Sequence, residues 1–355
     1  MVKFADAAIL ESLCSPLLIK KVELPALLRG QVLVKVLFSG VCRSQLMEVR
    51  GKRGSDAWLP HMLGHEGSGI VLAVGEGVTK VKPSDEVIMG WLQGAGIEAR
   101  SAKYWCVDKA INSGRITTFS NYAVVSESRL VLKPTGLSFD TAVLFGCALP
   151  TGAGMVLNEL KPSIEHSVLV IGLGGVGLSA LMALKALGLQ TIIAADISEK
   201  KLSLARELGA THTFNSTHEL FRQTVLDLTS GGADICVESG GQVSSIELGF
   251  SLIRKKGGKM LFASHPPEGE LIRLAPHELI SGKQIAGSWG GGSNPDIDIP
   301  KMHTLFKNVD IPLNALLTKR YHLEDINDAL EDLEAGRVFR PLIVMRHTEE
   351  IINVR

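Results

Sequence analysis

Neither sign of charge is in surplus: the 355-residue chain carries 37 Lys and Arg against 37 Asp and Glu. A balanced chain lacks the basic field with which a protein gathers nucleic acid regardless of sequence. Cysteine is also scarce. Cys14, Cys42, Cys106, Cys147 and Cys236 are odd in number and widely scattered. That argues against a disulfide framework in so long a chain and leaves reduced thiols for the core or for ligation. No uninterrupted apolar run is long enough to span a bilayer. The N-terminal MVKFADAAILESLCSPLLIKKVE mixes charges with apolar residues and has no signal-peptide core or cleavage site. The expectation is a cytoplasmic protein acting on a small molecule, with no nucleic-acid or membrane partner.

What the chain does have is size and apolar residues. It exceeds the usual span of one hydrophobic core, and 45% hydrophobic residues with 37 glycines suit a globular α/β protein of two domains. QVLVKVLFSGVC (31–42) alternates apolar and polar residues and then turns at glycine. GIVLAVGEGVTKVKPSDEVIMGW (69–91) repeats short β-rich runs broken by Gly, Pro and Ser. After GCALPTGAG (146–154) the style changes. Apolar SVLVIG, TIIAAD, ADICVES, KMLFAS and IAGSW are interspersed with the helical patterns GLSALMALKALG, SEKKLSLARELGA and QVSSIELGFSLI, which predicts a parallel sheet covered on both faces. IPKMHTLFKN and LEDINDALEDLEAG then read as amphipathic helices and RPLIVM as a last strand, a tail able to pack back on the first domain.

VLVIGLGGVGLSA places Gly172, Gly174, Gly175, Val176 and Gly177 between a strand and a helix. Gly172 serves the turn, Gly174 the approach of a pyrophosphate, and Gly177 the packing of helix on strand, with the helix N-terminus facing the anion. The next strand ends in Asp196, at the distance where a carboxylate receives a ribose diol. Asp196 would repel a 2′-phosphate, so NAD is expected over NADP. The plainer alternative is a tight glycine turn followed by Asp196 capping the SEKK helix.

A histidine and a glutamate stand together in MLGHEGSG (62–69), and cysteines lie in SGVCRSQ and LFGCALPTG. Thiolate and imidazole suit zinc, and a catalytic zinc commonly has three protein ligands with one position open. From spacing alone the constellation is only suggestive: Cys42 and Cys147 can also be read as small core residues, and His65 as a turn histidine with Glu66 a partner for nearby Arg43.

GHEGSGIVLAVGEGV resembles the zinc signature of the medium-chain alcohol dehydrogenases. GVCRSQ, GCALPTGAG, VIGLGGVG, AADISEKKLSLARELGA and the tail LEDINDALEDLEAGRVFRPLIVM follow in that family's order, over nearly the whole chain. The resemblance implies an α/β fold: a GroES-like β-rich catalytic domain from 1–148 and 290–355, and a Rossmann doubly wound parallel-sheet domain, 149–289, that binds NAD. It implies Cys42, His65 and Cys147 as ligands of a catalytic zinc, with Glu66 behind the metal as an alternating ligand. It implies Ser44 as proton relay, Arg43 and Arg340 as pyrophosphate contacts, and Lys201 near the adenosine ribose. Trp91 and Phe119 would shape the substrate pocket. The implied activity is an oxidoreductase's: zinc stabilises an alkoxide, Ser44 passes the proton and the nicotinamide accepts hydride, or the reverse from an aldehyde or ketone. A homodimer or homotetramer, joined through the edge of the cofactor sheet near 285–299, is the implied assembly.

The chain departs from that pattern in three places. The stretch 91–119 holds Cys106 as its one cysteine, so no structural zinc is expected and packing around Tyr104 and Trp105 must hold the lobe. Met47 stands where relatives often place a relay histidine, and it accepts no proton. Gln45 replaces an acid often found beside the ligands. Two other readings stand beside the main one: a polyol, amino-alcohol or sugar-derivative dehydrogenase of the same family, and a non-catalytic dinucleotide-binding regulatory protein. Arg50, Lys52 and Arg53 are a solvated loop or an attraction for an anionic group.

Overall fold

The computed structural model describes residues 2–347. The chain divides into two compact units, one from residues up to Gly146 with those from Leu317 onward, the other Cys147–Leu316. The sequence reading places the return to the first unit at 290, whereas in the structure it falls at 317. Helix Pro295–Asn308 buries Ile299, Met302 and Phe306 within the second unit, which holds the chain there for another turn. Among the described residues no single helix is long and apolar enough to cross a membrane.

In the first unit a closed barrel runs Phe4–Leu10, Leu18–Glu23, Lys103–Cys106, Lys109–Asn112 and His61–Met62. Beside it, a seven-stranded sheet has Gln31–Gly40 at its centre, paired antiparallel with Glu66–Val74, Tyr122–Ser126 and the tail strand Pro341–Val344. One apolar cluster includes Val34 and Val36 of the central strand, Leu46 and Val49 of helix Arg43–Val49, and Leu330 and Ile343 of the tail. The tail from 317 therefore completes the first unit's core.

The second unit is a six-stranded parallel sheet in the order His212–Asn215, Thr191–Asp196, Ser167–Ile171, Ile235–Glu238, Lys259–Phe262, Gln284–Gly287. Numbered along the chain this is 3-2-1-4-5-6, the doubly wound order whose ligand crevice lies at the carboxyl end of the first strand, where the order reverses. Buried on both faces, the central strands read as continuous apolar runs. Cys236 lies wholly buried in this core, where burial pushes its thiol up, the behaviour of a small apolar residue.

The cysteine-poor stretch forms the barrel hairpin. Tyr104 is fully buried and its hydroxyl accepts the Val124 N–H at 2.7 Å. Trp105, expected to pack beside it, alternates outward and stays 47% exposed, a correction imposed by the two-residue period of the strand. Glu127 does the tethering instead. Fully buried, its carboxylate accepts the N–H groups of Thr79 at 2.7 Å, Lys80 at 2.6 Å and Ile97 at 2.7 Å. Burial alone would raise this carboxyl, but those three donors hold it below its ordinary value of 4.5.

Glu127→Gln turns an amide NH₂ toward backbone donors, and the expected cost is about 2–4 kcal/mol of first-unit stability. Because the folded carboxyl is depressed, its contribution is present above the ordinary value of 4.5 and lost as pH falls through the folded value. Thermal unfolding from pH 7 to pH 3 should show a lower, flatter acid limb in the variant. Equal midpoints at pH 7 would refute the tether.

Candidate functional site

Antiparallel pairing makes the cluster. Ser39 lies opposite Gly67, so Cys42, just beyond the end of one strand, and His65, just before the start of the other, arrive at the same end of the sheet. Cys42 is also the N-cap of helix Arg43–Val49. Cys147 is placed by its peptide link to Gly146, whose carbonyl accepts the Trp91 N–H at 3.3 Å. Between His65 and the core, only glycine fits at 64: φ is +92°, and an added Cβ would lie 2.7 Å from the Phe119 backbone nitrogen. The Cys42 and Cys147 sulfurs and a His65 nitrogen all lie within 4.8 Å of one another. A soft two-thiolate, one-imidazole donor set of this kind fits zinc with a fourth position left over.

Two polar atoms among these residues lack partners. Ser44 Oγ and Glu66 Oε1 are buried with no hydrogen-bond partner among the described residues. The other Glu66 oxygen accepts a short hydrogen bond from Arg340, and both side chains are almost wholly buried. Burial pushes the Glu66 carboxyl up, against the pull of the Arg340 guanidinium. Orphaned oxygens of this sort call for a bound group. Gln45 connects the ligands: Oε1 accepts the Cys42 N–H at 3.3 Å while Nε2 meets His65 Nδ1. An amide thus stands against the imidazole where relatives often carry an acid. Arg43 is exposed on the first helical turn, and Met47 is half-buried on the same helix.

In the second unit the three motif glycines meet three different surroundings. Gly172 has φ +85°, and a Cβ there would sit 2.5 Å from the Gly240 nitrogen. A Cβ on Gly177 would collide with the Gly172 carbonyl, whereas one on Gly174 would meet nothing within 4 Å. The first and third glycines are demanded by backbone packing. The second opens a space at the N-terminus of helix Gly175–Ala186, the setting for a pyrophosphate. Asp196 Oδ2 accepts the Leu173 N–H at 2.7 Å and Oδ1 the Ser198 N–H at 3.0 Å; Lys201 Nζ lies 3.4 Å from Oδ2.

Residues 28–135 match the alcohol dehydrogenase GroES-like domain family, and residues 175–308 match the zinc-binding dehydrogenase family. Among solved structures, the chain is 28% identical to the alcohol dehydrogenase zinc-binding domain protein of Burkholderia ambifaria, over 97% of this chain and 100% of that one, with a TM-score of 0.89. Benzyl alcohol dehydrogenase of Acinetobacter calcoaceticus is also 28% identical over 97% and 100% of the two chains, with a TM-score of 0.88. An alcohol dehydrogenase of Thermotoga maritima is 25% identical over the same shares, with a TM-score of 0.80. The chain belongs to the zinc-dependent medium-chain dehydrogenase/reductase family.

In this medium-chain dehydrogenase, Trp91 and Phe119 are the side chains expected to wall a substrate pocket. Phe119 is fully buried in the first unit's core cluster. Neither it nor Trp91 lines the cavity of about 290 Å³ that opens beside His65 and Gln45. Phe119, in the loop before strand Tyr122–Ser126, packs under Gly64, while Trp58, Leu63 and Ile116 reach the cavity. Glu48, His61 and Asp56 were missed in the sequence. They belong to no spaced motif and meet only because strand His61–Met62 lies near helix Arg43–Val49 and the loop that follows it.

The contrasting glycine surroundings predict opposite outcomes. Gly174→Ala should keep the melting temperature within about 2 °C while weakening NAD(H) binding about tenfold or more. Gly177→Ala should lower the melting temperature by several degrees before affinity is considered. Fluorescence titration with NADH and a thermal scan on both variants measure this, and tight cofactor binding by Gly174→Ala would refute the cradle.

Proposed function

We propose that this chain is an oxidoreductase that moves hydride between an alcohol and NAD, or between NADH and an aldehyde or ketone. The observation that carries the reading is the two-thiolate, one-imidazole cluster, with a buried, unpartnered serine hydroxyl two residues beyond Cys42. Zinc held by Cys42, His65 and Cys147 supplies a Lewis acid that favours loss of the alcohol proton or polarises a carbonyl.

The chain's own groups do the rest. Ser44 Oγ takes the hydrogen bond of the substrate hydroxyl and moves its proton onward. Met47 offers no acceptor, so the proton continues to solvent. Glu66, fixed by Arg340, would place a negative charge behind the ligands that offsets a bound cation. With its amide oxygen turned to the ring N–H of His65, Gln45 would accept that hydrogen and hold the imidazole in orientation, more weakly than a carboxylate would. On the cofactor side, the N–H groups of the glycine turn meet the pyrophosphate, with Arg43 and Arg340 as cationic contacts. Asp196 accepts the ribose hydroxyls, with Lys201 beside it. Its negative charge also disfavours a 2′-phosphate, which supports NAD over NADP.

Elemental analysis should find about one zinc per wild-type chain and none in Cys147→Ser. About two would mean a second metal site, in the cysteine-poor lobe or at Glu48, Asp56 and His61, and none after zinc is added back would move the chain to the zinc-free reductases. Asp196→Ala should move cofactor preference toward NADP by about tenfold or more. A melting scan alongside separates that effect from loosening of the Leu173 turn, and unchanged NAD affinity in a folded variant would remove Asp196 from the ribose site.

A further inference from the structure

The cavity beside His65 has a polar wall that the reaction itself does not use. Glu48 and His61 line it, and with Asp56 they present one ligand atom each within 4.8 Å of one another. Two of the three are committed. His61 Nδ1 meets the Met62 carbonyl at 3.0 Å and Nε2 meets Asp56 Oδ2 at 2.7 Å, while Asp56 Oδ1 accepts the Trp58 N–H at 2.8 Å. Glu48 differs. Its closest basic side chains are Arg53 at 3.6 Å and His61 at 3.8 Å, and no hydrogen bond reaches its carboxylate among the described residues. The side chain is only 25% exposed, and burial pushes the carboxyl up. A partly desolvated carboxylate without a close donor is costly, and an arriving donor relieves that cost.

We propose that Glu48 selects the substrate by accepting a hydrogen bond from a hydroxyl or ammonium group on its non-reacting end. The assignment rests on the dehydrogenase reading above, because His65 joins this cavity to the metal ligands. Trp58 and Ile116 offer apolar surface to the intervening carbons, while the locked His61–Asp56 pair holds the wall in place. Diols and amino alcohols are favoured over plain alkanols of the same length.

The test compares zinc-loaded wild type, Glu48→Gln and Glu48→Asp on 1-butanol and on the diols and amino alcohols of two to four carbons. Wild type should prefer one donor-bearing series, and the series preferred tells hydroxyl from ammonium. Glu48→Gln should lose about tenfold or more in kcat/KM on that series, mostly through KM, and stay within about twofold on 1-butanol. Glu48→Asp, which keeps the charge, should fall between. Calorimetric binding of the preferred compound to zinc-loaded, cofactor-free protein should weaken in parallel. Equal discrimination by wild type and folded Glu48→Gln overturns the proposal while the dehydrogenase reading stands. Absence of turnover with every alcohol and carbonyl overturns both. A second metal ion lost in Glu48→Gln overturns it in favour of a cation site.

Discussion

The buried ion pair between Glu66 and Arg340 joins positions 274 residues apart, and the segments that carry the proposed metal ligands meet beside it. Glu66 is the first residue of its strand, adjacent to His65. An added Cβ on Gly40 would strike its carboxylate, and one on Gly146 would lie 2.9 Å from its Cα. Segments ending near Cys42, His65 and Cys147 thus converge on one charged side chain. Arg340 brings the C-terminal strand to the same point. A charge with no exposure is tolerable only with its partner in place, and removing one member of such a pair typically costs about 3–5 kcal/mol. The pair explains why this corner is dense in glycine: backbone must come close for a buried carboxylate to be shared among so many segments.

Asp196 has a comparable double duty in the second unit. Its carboxylate closes the glycine turn through Leu173 and starts the next helix through Ser198, so the group read as a ribose acceptor is also a structural one. Capping and cofactor binding were alternatives in the sequence. In the structure, backbone donors hold the carboxylate at the carboxyl end of its strand. Fixing an acceptor in advance reduces what binding must order.

Much of this was legible in the residues. The parallel strands were visible because burial on both faces writes them as unbroken apolar runs, and the glycine turn because strand, glycines, helix and acid occur at fixed intervals. Strand His212–Asn215 was not. HTFN is half-buried and largely polar, at the edge of the sheet, so neither apolar continuity nor alternation marks it. The return to the first unit at 317 rather than 290 was hidden for a related reason. Helix Pro295–Asn308 is amphipathic, and amphipathicity says that a face is covered without saying which core covers it.

The amino-acid order alone determined the family, the two-unit plan, and the residue types available for a metal and a dinucleotide, because those depend on local pattern and on motifs kept in sequence order. Tertiary structure decided which side chains meet. Strand pairing brought Cys42 to His65 and turned Trp105 outward, and loop packing put Phe119 in the core and Glu127 among three backbone donors. It also placed Glu48 on a cavity that no spacing in the chain foretells. Registers and crossings settle such meetings, and a shift of one residue in a strand reverses every face it presents.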